Sequence, residues 1–95
     1  MSDPYQIDPK TRAEMLQTLA SILYRCDDEP STVEEGQALA LDAALVANNL
    51  PTTSGCYGLL REAFDDLYLH PVSTRARAQM RDAADQTTVM LLATS

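Results

Sequence analysis

The sequence predicts an all-α fold, a small four-helix domain that is either an up-down antiparallel bundle or two packed helical hairpins. Prolines stand at positions 9, 30, 51 and 71, and a Ser or Thr follows each of them two residues later. Proline ends one helix or opens the next, and a Ser or Thr side chain can cap a helix's first turn. The composition is 45% hydrophobic with three glycines, which favours packed helices over strands and tight hairpins.

The length of 95 residues indicates a single domain, residues 1–95. No segment has the roughly 18 consecutive apolar residues of a membrane span, and no signal peptide is recognisable, so we expect a cytoplasmic protein. Cys26 and Cys56 are then two partly buried thiols, and a disulfide between them is the alternative that their even number leaves open. The positions of the prolines and of the Ser and Thr caps predict an N-terminal arm at 1–8 and helices at about 9–27, 31–49, 53–69 and 73–93.

The first helix is predicted to start at Pro9 with Asp8 as its cap, and Thr11 with Glu14 forms a second candidate start. Its apolar residues recur at helical spacing, which predicts one buried face. The members of that face are Met15, Leu19, Ile22 and Cys26, widened by Leu16 and Leu23.

The second helix has two overlapping capping boxes, Ser31 with Glu34 and Thr32 with Glu35. Its body, residues 38–50, is apolar over most of its circumference, which predicts a central position in the bundle. Its many alanines would let neighbouring helices approach closely.

The third helix is predicted to begin near Thr53 or Ser54, and its first turns contain two glycines that weaken it. We expect an inward face that tyrosines flank in half-exposed positions. The inward residues are Cys56, Leu60, Phe64 and Leu67, and the flanking residues are Tyr57 and Tyr68.

The fourth helix is predicted to be capped by Ser73 or Thr74, and its inner face is thin. That face comprises Ala76, Met80, Ala83, Thr87 and either Met90 or Leu91. The last residues, 89–93, are apolar on every side and therefore require a cover. We expect this cover to come from a second copy of the chain in a homodimer.

The sequence predicts no enzyme activity, no cofactor and no metal site. His70 is the single histidine, and no nucleophile motif accompanies it. The acidic cluster at 27–35 lacks the glycine and the final glutamate of a calcium-binding loop, and no His or Cys cluster suits zinc.

The net charge of −7 favours a basic protein partner and disfavours direct contact with nucleic acid or an anionic membrane. We therefore expect a non-enzymatic binding protein. In size, charge and helicity it resembles bacterial immunity proteins, antiactivators and phage-encoded inhibitors, although no motif supports this resemblance. Two alternatives stay open, namely a nucleic-acid mimic that blocks a DNA- or RNA-binding groove, and a bundle that binds a small ligand beside its methionines.

The candidate partner-binding residues fall into four groups, which are acidic, aromatic, basic and C-terminal apolar. Tyrosine is a favoured interface anchor, and clustered arginines commonly pair with an acidic surface. The set is Asp27, Asp28, Glu29, Glu34, Glu35, Tyr57, Tyr68, Arg75, Arg77, Arg81, Val89, Leu91 and Leu92.

Overall fold

A computed structural model describes residues 7–26 and 32–93, and this part of the chain forms four helices without strands. Each helix packs on its predecessor and α4 packs on α1, while α2 also touches α4 across the middle. These contacts fit both predicted arrangements, and the prediction of a small all-α four-helix domain is confirmed. The helices are α1 at Pro9–Cys26, α2 at Val33–Asn48, α3 at Gly55–Leu69 and α4 at Thr74–Ala93.

All four helices start at a capping side chain that the sequence predicts. In each case a side-chain oxygen accepts a hydrogen bond of 3.1–3.3 Å from a backbone N–H of the first turn. The α2, α3 and α4 helices begin one or two residues later than predicted because the cap itself lies outside the helix. The second candidate cap of α2, Ser31, lies outside the described residues. The four observed caps are Asp8, Thr32, Ser54 and Ser73.

The core is built from the inward faces of all four helices. As predicted, α1 buries Met15, Leu19 and Ile22, with its flanking apolar residues half-buried. Met15 and Met80 are almost completely buried, as methionines that fill gaps in a core are. Cys26 and Cys56 do not form a disulfide, and the Cys56 thiol lies 3.9 Å from the Gln86 carbonyl oxygen.

The longest helix, α4, buries every residue of its predicted inner face, and it also buries Arg77 and Ala84, so the face is wider than predicted. Leu91 completes this face, and the hydroxyl of the buried Thr87 donates to the Ala83 carbonyl at 2.8 Å. That hydrogen bond satisfies a polar group that would otherwise be costly to bury. Within the described ranges, no helix is long and apolar enough to cross a membrane.

Two sides of α2 are buried, and they differ in residue size. Leu39 and Val46 lie on the same side as Asp42, which pairs with Arg25 of α1, so this side faces α1. The other side consists of small residues, and we call it the small-residue side. The outer side is exposed at Leu41 and Leu45, so the expectation of a helix enclosed all round is wrong. The small-residue side comprises Gly36, Ala40, Ala43 and Ala47.

Gly36 allows α2 to touch the connection between α3 and α4. A β-carbon at this position would lie 2.6 Å from the β-carbon of Pro71 and would also collide with the Pro71 carbonyl oxygen. Since backbone cannot move aside as a flexible side chain can, only glycine fits here. The contact fixes the start of α2 against the end of α3.

Alanine at Gly36 and at Gly58 should change stability in opposite directions. Gly58 lies in α3 with open space around it, so Gly58→Ala should stabilise the chain by roughly 0.5–1 kcal/mol. Gly36→Ala should destabilise it by about 1–3 kcal/mol because it forces the helix away from Pro71. Urea unfolding followed by circular dichroism measures both. A stabilising Gly36→Ala would contradict the close approach.

Candidate binding face on helix α3

One line of large side chains runs along the outside of α3, and we call it the α3 stripe. Its members follow one another at intervals of four, three and four residues, which places them on a single face of a helix. Tyr68 is 42% exposed and the other three are half-buried. The α3 stripe consists of Tyr57, Arg61, Phe64 and Tyr68.

Three members of the α3 stripe contact one another. The Arg61 guanidinium carbon lies 5.2 Å from the centre of the Phe64 ring, within cation–π distance. The Phe64 and Tyr68 rings are 5.5 Å apart at a tilt of 34°, a favourable aromatic arrangement. These contacts restrict the side chains before any partner arrives.

The α3 stripe is outside the core because other residues of α3 fill it. Leu60, Ala63 and Leu67 are completely buried on the inner face. Phe64, which the sequence places inward, is only half-buried and leans on the core from the side. That prediction was wrong because Ala63 occupies the inward position instead. Arg61 was not among the predicted site residues. It could have been found from its spacing, because Tyr57, Arg61, Phe64 and Tyr68 follow one another at helical intervals.

Carboxylates border the α3 stripe on its solvent side. Glu62 and Asp65 are exposed on the same helix, one residue after Arg61 and Phe64 respectively. The face therefore has an aromatic centre and an anionic edge. Such a face can bury apolar surface against a partner and attract cationic side chains around it.

The arrangement offers recognition chemistry and no metal centre. Across residues 7–26 and 32–93, no three His, Cys, Asp or Glu side chains come together to hold a metal ion. His70 is exposed and caps the end of α3 through its backbone N–H, which donates to the Asp66 carbonyl at 2.9 Å. Its place in the fold is that of a helix terminus.

The predicted acidic group is only partly within the described chain. Asp27, Asp28 and Glu29 lie outside the described residues. Glu34 and Glu35 are exposed in the first turn of α2, where negative charge is favourable for the helix dipole. Both therefore have a structural role at a helix start.

The three arginines of the predicted basic group differ in how deeply they are buried. Arg75 and Arg81 are exposed on α4, whereas Arg77 is only 7% exposed. The Arg77 Nη2 atom donates to the Arg25 carbonyl oxygen of α1 at 2.7 Å. The three arginines do not form one surface, because Arg77 points into the contact between α1 and α4.

The C-terminal apolar group is also split. Val89 and Leu92 are 60% and 58% exposed, whereas Leu91 between them is completely buried. The helical turn carries Leu91 inward and its neighbours outward. Leu91 is therefore a core residue, and the uncovered part of this end consists of Val89 and Leu92.

The tyrosines of the predicted set are thus the members that share one face, and Arg61 and Phe64 complete that face. Comparisons of the chain with protein-family models, with curated proteins and with solved structures find no match.

Proposed function

We propose that the chain is a non-enzymatic binding protein that occupies a basic surface of another protein, as an inhibitor, antiactivator or immunity-type factor does. The α3 stripe supplies the contact. The observation that carries this proposal is the contiguous, partly exposed Arg61–Phe64–Tyr68 ladder with carboxylates beside it.

The residue types of the α3 stripe suit a protein interface. Tyr, Phe and Arg are enriched at interfaces, and Tyr and Arg are prominent among the few residues that carry most of the binding energy. Their mutual contacts already restrict these side chains, so less conformational entropy is lost when a partner binds. Exposed apolar residues scattered singly need no explanation, but an adjacent pair of partly exposed aromatic rings with an arginine beside it suits an interaction surface.

The charge of the chain supports a basic partner. The net charge is −7, and nearly all described carboxylates are exposed. Such a field speeds the encounter with a cationic surface and repels acidic competitors. The exposed acidic residues are Asp8, Glu14, Glu34, Glu35, Glu62, Asp65, Asp66, Asp82 and Asp85.

A homodimer remains a second proposal, and it rests on a different part of the surface. Val89 and Leu92 lie on the outer side of α4 near its end and are more than half exposed. A two-fold contact through this end would cover both residues in each copy. It would leave the α3 stripe available.

Tyr68→Ala should weaken binding to the partner by about 30-fold or more, since a central aromatic anchor contributes about 2 kcal/mol or more. Tyr24→Ala is the matched control, because Tyr24 is 75% exposed on α1, away from the α3 stripe. Quantitative capture from the cell that encodes the chain identifies the partner, and calorimetry with the purified partner measures the affinities. Equal affinities for the two variants would contradict the proposed face.

Salt should slow association with that partner and leave dissociation almost unchanged. Raising the ionic strength from 50 to 500 mM should lower the association rate about tenfold or more, because screening removes the long-range attraction. Surface plasmon resonance measures both rates. An association rate that does not depend on salt would exclude a basic partner surface.

Leu92→Glu should shift the chain toward monomer, because it places a charge in the proposed two-fold contact. Leu69→Glu is the control, since Leu69 is also exposed but lies at the end of α3. Sedimentation equilibrium reports the mass of both variants. A wild-type chain that is monomeric at high concentration would remove the homodimer proposal and leave the α3 stripe proposal intact.

A further inference from the structure

The α3 stripe lies on the flank of α3 that is turned toward α2. On the opposite flank, the Cys56 thiol lies 3.9 Å from the Gln86 carbonyl oxygen of α4. Asp66 is on that flank too and lines an open groove together with Gln79 of α4. Helical geometry places the α3 stripe on the other side of the buried Leu60, away from α4. The stripe therefore borders α2.

The α2 helix reaches the same border with a small residue. Gly36, at the start of α2, meets Pro71 just after the end of α3, so the two helices run antiparallel and this side of α2 faces α3. Ala40 and Ala44 continue that side at four-residue intervals. Ala40 is buried and Ala44 is half-buried, so Ala44 lies where the side facing α3 meets the outer side of α2.

The outer side of α2 continues this surface with leucines. Leu41 and Leu45 are 50% and 60% exposed, and Ala44 lies between them and the α3 stripe. Large apolar side chains are thus accessible to solvent on two neighbouring helices. We call this surface the α2–α3 face, and it consists of Leu41, Ala44, Leu45 and the α3 stripe.

Carboxylates border the α2–α3 face on both sides. Glu62 and Asp65 are exposed beside the α3 stripe, and Glu34 is exposed near the start of α2. On the far side of α2, Glu14 of α1 lines an open groove together with Leu45. The α2 helix contains no lysine or arginine. The face is therefore apolar along its middle and anionic along its edges, which complements a partner that is apolar along one stripe and basic beside it.

The shape of the face suits a helix as the bound element. The α3 stripe runs from Tyr57 to Tyr68, a length of about 16 Å or roughly three helical turns. An added strand would need a free sheet edge, and the described ranges contain no strand. An amphipathic helix buries its apolar stripe in such a groove, and its lysines and arginines can reach outward to carboxylates at the edges.

We propose that the α2–α3 face receives a basic amphipathic helix of the partner protein. This inference rests on the proposed function, since it keeps the α3 stripe as one half of the contact. It adds Leu41 and Leu45 of α2 as the other half and specifies the chemistry of the element that the partner presents.

The test uses a fluorescent peptide of about 14 residues, built only of leucine and lysine, with its leucines on one side of a helix. Fluorescence anisotropy measures its affinity for the chain. The double variant Leu41→Gln, Leu45→Gln should bind it about tenfold or more weakly, because apolar surface that the helix covers is lost. The matched control is Val89→Gln, Leu92→Gln, which removes two similarly exposed apolar residues from α4 and should bind like the wild type.

A second peptide of the same composition, with its leucines spread over all sides, should bind about tenfold or more weakly because it has no apolar stripe. Equal affinities for the two peptides, no binding of the amphipathic one, or an unchanged affinity of the Leu41→Gln, Leu45→Gln variant would overturn the inference. Tyr68→Ala separates it from the proposed function. Binding that Tyr68→Ala weakens and the α2 variant does not would remove the α2 half and leave the α3 stripe proposal intact.

Discussion

The small-residue side of α2 is the constraint on which the rest of the bundle depends. Gly36, Ala40 and Ala47 are buried and carry little or no side chain, so they allow neighbouring elements to approach α2 closely. At Gly36 the approach reaches the backbone of Pro71 itself. The large residues of the core come from α1, α3, the α1-facing side of α2, and Met80 and Leu91 of α4.

The aromatic side chains of α3 lie outside the centre of this core. The inner face of α3 consists of Leu60, Ala63 and Leu67, which are completely buried. Phe64 and its neighbours therefore lie at the edge of the core, where one side of each ring packs and the other meets solvent. The partly exposed aromatic face of α3 therefore follows from the way in which the inner face of α3 is filled.

The features that the sequence predicted well are local ones. A helix cap depends on a side chain and a backbone N–H two or three residues away, so Asp8, Thr32, Ser54 and Ser73 could be identified from spacing alone. The inward faces of α1 and α4 follow from helical periodicity and were likewise predictable.

The features that the sequence did not predict depend on which helix lies opposite. Nothing in its own segment reveals that Arg77 meets the last turn of α1, a contact across 52 positions of the chain. The half-buried position of Phe64 likewise depends on which residues of α3 fill the core. The exposure of Leu41 and Leu45 depends on the absence of a fifth helix over α2 within the described chain. Periodicity identifies a face but not its neighbour, and the α3 stripe was recognisable only once the inner face of α3 was known.

We propose that the outward face of α3 is where the chain meets a protein partner. The most direct measurement is an NMR footprint, in which the partner is added to ¹⁵N-labelled chain and each backbone signal is followed. The account predicts that the largest changes lie between Tyr57 and Tyr68, with α1 signals near Tyr24 unaffected. Changes centred instead on Val89 and Leu92, or on Leu41 and Leu45, with the α3 signals unmoved, would contradict it.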